Sequence, residues 1–83
     1  MIGKQAAILR LPAVLKARGR SKPSHYEDIQ NGLFTHPVLL GGRFVGWPEA
    51  EVRAINQARI AGRTNDEIRA LVAQLETMRR AAS

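Results

Sequence analysis

The tightest constraint on this chain is a pair of glycines set between two short apolar runs. Val38-Leu39-Leu40 and Arg43-Phe44-Val45 flank Gly41-Gly42, and two glycines between β-prone runs are a strong signal for a tight hairpin. His36-Pro37 sets an extended approach to it and Trp47-Pro48 closes it, because proline biases the residue before it towards extended backbone. Most of the remaining chain reads as helix, so the architecture must hold one small hairpin among helices.

Ahead of the hairpin, the apolar run Ile8-Leu9-Arg10-Leu11 is long enough for an edge strand. Pro12 then fits the first helical position, where its missing N–H does no harm. Val14, Leu15 and Arg18 follow at helical spacing, and Gly19 is a natural C-terminal stop. Gly19-Arg20-Ser21 makes a three-residue turn, the length that helix-turn-helix units favour. A second helix runs from Lys22 to Gln30, with Ser21 as N-cap and Pro23 tolerated in the first turn. Tyr26 and Ile29 are expected on its buried face, with His25 and Lys22 at the margins and Pro23, Ser24, Glu27 and Asn31 opposite. Gly32 ends it, and Leu33 and Phe34 are the next core anchors.

After the hairpin, Pro48 opens a third helix to about Ala61, with Glu49 and Glu51 where the dipole favours acids and Val52 and Ile55 on the buried face. Gly62-Arg63 breaks the chain. Thr64-Asn65-Asp66-Glu67 is a capping box. Ile68, Leu71, Val72, Leu75 and Met78 then form an amphipathic stripe that reaches the end of a fourth helix near Arg80. The stripe's spacing suits either the domain's own core or a partner face, self-association included, and the few large apolar residues of the third helix tilt the expectation towards Ile68, Leu71, Val72 and Leu75 serving a partner as well as the core. The expected organisation is a flexible tail over residues 1–7, a winged helix-turn-helix unit over 8–62, and a C-terminal amphipathic helix over 63–83. The fold class is mainly α with a small β-hairpin wing.

Charge narrows the function. The 83 residues carry a net charge of +6. Residues 1–47 set seven Lys and Arg against only Glu27 and Asp28, whereas residues 48–83 nearly balance. That asymmetry suits an acidic polymer facing the N-terminal half, and equally a solvated basic face. The absence of cysteine excludes disulfides and thiolate zinc sites and fits a reducing cytoplasm. No apolar run approaches the ~20 residues of a membrane span. Residues 1–26 hold six Lys and Arg and no acid, as transit peptides do, but they also supply the first helix, so they are expected to be retained.

A catalytic reading is weak. The two histidines lie eleven residues apart, and the adjacent Glu27 and Asp28 point to different sides of a helix. Gly41-Gly42 with Gly46 lacks both the lysine and the strand–helix context of a phosphate loop. The expectation is no enzymatic activity, no cofactor and no metal. His25 reads as a satisfied core histidine and Trp47 as a core anchor rather than a base-stacking surface. The one constellation pointing to function is Arg18, Arg20 and Lys22 around the turn, with Arg43 at the hairpin. Flanking cations on phosphates and a second helix in the major groove are how helix-turn-helix proteins hold DNA.

This order of elements resembles AlpA-type phage regulators and the related small excisionases, whose fold is a winged helix-turn-helix akin to the MerR DNA-binding domain. The matching stretches are Leu9–Gly19, Ser21 with Tyr26 and Ile29, Gly32–Thr35 with Pro37, Gly41–Trp47 and Glu49–Ile55. The tail ARIAGRTNDEIRALVAQL is similar to a C-terminal extension of these regulators. The resemblance implies double-stranded DNA binding with Lys22–Gln30 as recognition helix and Leu40–Val45 as wing. It also implies origin in a prophage or mobile element, action as transcriptional regulator, antiterminator or excisionase, and a cytoplasmic, nucleoid-associated location. Where the family usually has a basic and then an apolar residue, this chain has Glu27 and Asp28. Glu27 can accept from cytosine N4 or point away, and Asp28 is free on this reading to face a protein such as RNA polymerase. The DNA-contact residues expected are Arg18, Arg20, Lys22, Pro23, Ser24, Glu27 and Arg43, with an integrase, RNA polymerase or a second copy as protein partner. The rival expectation is a protein-interaction module that uses the C-terminal helix and no DNA.

Overall fold

The computed structural model describes residues 7–82, with the side chain of Ala82 outside that description. Of the expected tail over residues 1–7, residues 1–6 lie outside the described residues. The elements are β1 (Ile8–Leu9), α1 (Leu11–Arg18), α2 (Lys22–Gln30), β2 (Val38–Gly41), β3 (Phe44–Pro48), α3 (Glu49–Ile60) and α4 (Asn65–Ala82). Among the described residues four helices accompany a three-stranded antiparallel sheet of order β1-β3-β2, a winged helix-turn-helix.

The local signals act as their chemistry requires. Gly19 takes φ 67°, and its N–H and that of Arg20 both reach the Leu15 carbonyl, closing α1 with a left-handed residue that a Cβ disfavours. Ser21 caps α2 by accepting from the Ser24 N–H. The hairpin turns at Gly42-Arg43, with Gly41 paired to Phe44, so Arg43 occupies the tip rather than the strand. A bulge between Leu39 and Gly41 brings the second glycine into the turn instead of the first.

Gly46 is fixed by crowding. A Cβ there would stand 2.5 Å from Ile8 Cγ2 and 3.0 Å from the Leu9 carbonyl oxygen, so only glycine lets β1 lie across β3. That crossing carries β1 into register Ile8↔Pro48 and Leu9↔Trp47, and Glu49 N–H then binds the Ala7 carbonyl.

The core gathers Val14, Ile29, Leu33, Phe34, Trp47, Val52, Ile55, Ile68 and Val72. Trp47 is fully buried, and its indole N–H donates to the Thr35 carbonyl at 2.8 Å. Its polar edge is thereby satisfied where its rings supply most of the apolar contact.

Two expectations are corrected here. First, α2 buries His25, Asp28 and Ile29, while Tyr26 sits at the surface. The helix is rotated from the expected phase because Arg18 at the end of α1 and Arg20 in the turn neutralise Asp28 inside. Second, Ile68 and Val72 are buried, and Leu71 and Leu75 pack against the same core, so these four do not form a free partner face. The stripe joins one buried cluster with Leu33 and Phe34 of the loop after α2 and Val52 and Ile55 of α3. Polar ties fix it further. The capping box forms, with Thr64 N–H to Glu67 Oε1 at 2.9 Å and Glu67 N–H to Thr64 Oγ1 at 3.1 Å. Arg79 forks onto the buried Glu51 at 2.7 and 2.6 Å and donates to the His36 carbonyl. Glu76 accepts from the His36 backbone N–H, and Arg69 donates to the Asn31 carbonyl.

Candidate nucleic-acid interface

The turn between α1 and α2 is organised by one carboxylate. Asp28 Oδ2 accepts from Arg18 Nη2 at 2.8 Å and from Arg20 Nε at 3.1 Å, and its Oδ1 accepts from Arg20 Nη2 at 2.9 Å. Burial alone would raise its pKa, but the two guanidiniums outweigh it and hold the carboxyl below the usual range. This ion-paired knot pins α2 to the end of α1 and to the turn, and so sets how the helix is presented.

Arg18 is the inner half of that knot. Its side chain is only 4 % exposed, its guanidinium lies 4.0 Å from the centre of the Phe34 ring, and Nη1 donates to His25 Nδ1 at 2.7 Å. Burial lowers its pKa, with Asp28 pulling the other way. An arginine can only donate, so Nδ1 of His25 carries the lone pair and the imidazole is neutral. His25 is fully buried, 4.9 Å from the Trp47 ring centroid and edge-on to it. Burial first, and then the charge of Arg18, push its pKa down to about 4.

Two expected site residues thus move inward. Arg18 is expended on Asp28, His25 and Phe34 and presents no charge to a phosphate. Asp28 is buried between two arginines and presents none to a partner protein. Helical phase hides this in the sequence, where both look like ordinary surface charges. Two arginines flanking Gly19, eight and ten residues before an acid, are the signal that points to the pairing.

The residues left outside form a coherent surface. Lys22, Pro23 and Glu27 are exposed on α2, and Ser24 is half-buried beside its cap. Their directions differ by the helix's 100° per residue, which places Pro23 and Glu27 nearest the outward line and Lys22 at one margin. Arg20 keeps 42 % of its side chain exposed while holding Asp28. Arg43 stands exposed at the wing tip. Behind the tip, Arg10 donates from Nε to the Val45 carbonyl at 3.0 Å and sits 5.0 Å over the Phe44 ring. Arg10 braces the wing to the strand before α1, a role invisible before the hairpin register is known. The wing is also unusually apolar outside, with Leu39 and Phe44 mostly exposed.

Other chemistries find little here. Among the described residues no three His, Asp or Glu side chains gather as a metal site needs, and no helix is long and apolar enough to cross a membrane.

Comparison with known proteins agrees with the fold. The family model described as prophage CP4-57 regulatory protein (AlpA) matches residues 7–60, which span β1 through the end of α3. The uncharacterised protein ORF88 of Enterobacteria phage P4 is 44 % identical over 59 residues, covering 71 % of this chain and 67 % of that protein. No solved structure matches the chain significantly. With the winged helix-turn-helix enclosed by the matched residues, the chain belongs to the AlpA family of prophage regulatory proteins.

Proposed function

We propose that this protein is a sequence-specific double-stranded DNA-binding regulator of a prophage or other mobile element. The observation that carries the reading is the joint exposure of Lys22, Arg20 and Arg43 on the turn, recognition helix and wing of a winged helix-turn-helix fold. In that reading α2 lies in the major groove. Lys22 and Arg20 bind phosphates, Pro23 packs against the backbone, and Ser24 and Glu27 meet base edges, Glu27 accepting from cytosine N4. Arg43 enters the adjacent minor groove, whose narrow A·T-rich stretches attract arginine. The buried Arg18–Asp28 pair holds the helix at its angle without itself touching DNA, and Arg20 joins that pair to the exposed surface.

The reading extends to action as a transcriptional regulator, antiterminator or excisionase, in contact with RNA polymerase or an integrase, inside a bacterial cell and close to its nucleoid. Family membership and the basic N-terminal half support it. The non-DNA rival draws no support from α4, whose apolar stripe is turned into the core.

Footprinting on the DNA around the protein's own gene tests this reading. Protection of a discrete segment, at an attachment site for excision or beside a promoter for transcriptional control, is the expected result. Uniform, sequence-indifferent coverage would defeat the proposal of sequence-specific recognition.

A further inference from the structure

Between the end of α1, the flank of α2 and the junction of α3 with α4 lies an open cleft of about 540 Å³. Its floor is apolar, made by Leu33 and Ile55, and its wall carries Arg18, Arg20 and Arg59 against the single carboxylate of Asp28. Asp28 is already saturated by Arg18 and Arg20. Arg59 binds only the uncharged Asn65 amide oxygen, at 3.1 Å, and makes no ion pair among the described residues. Arg20 and Arg59 both act electrostatically on the Arg18 guanidinium, so the three cations share one field. The cleft therefore faces solvent with more positive than negative charge. At its rim stands Ile60, 85 % exposed although it is a large aliphatic residue.

We propose that this cleft is a docking site for a protein partner that offers an acidic segment with interleaved apolar residues, its carboxylate taken by Arg59 and its apolar side chain resting on Ile60. Charge complementarity fixes the sign of the occupant, and the fork geometry of arginine matches a carboxylate. The apolar floor and rim favour a peptide over a DNA backbone, which brings phosphates but no aliphatic group for Ile60. The placement agrees: on α2 the cleft is reached from the Asp28 side, 100° round the helix from Glu27 and further from Pro23. A partner could therefore occupy it while the outward face of α2 is engaged elsewhere. The proposal does not depend on DNA binding and is tested apart from it.

The test uses the full chain and a fluorescein-labelled peptide of sequence LEELEEL, with the matching Gln-for-Glu peptide as control. Fluorescence anisotropy is expected to show salt-sensitive binding of the Glu peptide and none of the control. Arg59→Ala should weaken it about tenfold, the scale of one hydrogen bond to a charged group. Ile60→Ser should weaken it about fivefold, the scale of partly losing one aliphatic contact. Both side chains are exposed, so both variants should melt as the wild type does. Equal binding of the two peptides, no binding, or indifference to both substitutions would overturn the proposal. So would loss of about 0.9 from the slope of log K against log salt for DNA in Arg59→Ala, which would make the cleft a phosphate site instead.

Discussion

Replacing Asp28 should do far more to the fold than the removal of an exposed carboxylate does. In Asp28→Ala two guanidiniums lose their partner at once, and they are unequal. Arg20 has 42 % of its side chain in water and will rehydrate, so its share is at most about 1 kcal/mol. Arg18 is 4 % exposed and is left as a buried, unpaired charge, which costs about 3–5 kcal/mol. A chain of 83 residues has about 4–12 kcal/mol of stability in all, at 0.05–0.15 per residue. The variant should therefore sit at the edge of unfolding, with a thermal midpoint lowered by roughly 12–40 °C at 4–8 °C per kcal/mol. Circular dichroism melting measures this directly. Arg20→Ala should lower the midpoint only slightly, and the double substitution Arg18→Met with Asp28→Leu should recover most of the loss, because apolar residues of similar size can replace a buried pair without penalty. A folded Asp28→Ala protein melting within a few degrees of wild type would refute the reasoning. It would return Asp28 to the surface, where the sequence alone suggested it.

Acid should act through the same cluster. The pKa of His25 is about 4 in the folded protein and near 6.5 unfolded, so the unfolded chain binds the extra proton between those values. Stability is then intact above pH 6.5 and falls as pH drops towards 4, by about 3 kcal/mol at 1.36 per unit. Asp28 and Glu76, both held below their ordinary range, add a further loss at lower pH. Urea titrations between pH 7 and 4 follow this, and His25→Phe should flatten the upper part of the curve. Trp47→Ala removes the largest fully buried side chain and should destabilise by about 3–5 kcal/mol; a folded variant impaired only in DNA binding would make Trp47 a contact residue. Truncation after Gly62 removes Ile68 and Val72 from the core, so the helical signal should collapse; a truncated chain that stays folded would restore α4 as a separable interaction helix.

The sequence announces the skeleton because its punctuation is chemical. Gly19, Ser21, the Gly41-Gly42 pair and the Thr64–Glu67 capping box each fix a local backbone state, and each lies where an element begins or ends. Phase and pairing are harder to read. In nine-residue α2 only His25, Tyr26 and Ile29 compete for the buried side, and the outcome depends on Arg18 and Arg20 reaching in from other segments to neutralise Asp28. A stripe such as that of α4 states that a face is buried, not what covers it. Leu33 and Phe34 share the core with it from a loop whose position follows from the whole fold. Of the expected DNA contacts, Lys22, Pro23, Glu27 and Arg43 are exposed, Ser24 and Arg20 are partly so, and Arg18 is withdrawn.

The central claim is that Lys22 and Arg20 on phosphates and Arg43 in the minor groove hold DNA from outside a winged helix-turn-helix. Its most direct test is the salt dependence of affinity for a duplex carrying the footprinted site. The slope of log K against log salt should be negative with a magnitude of at least about 2.7 for three cationic contacts at 0.9 each, and Lys22→Ala and Arg43→Ala should each reduce that magnitude by about 0.9 with unchanged melting temperature. A flat slope, or one untouched by both substitutions, would contradict the account.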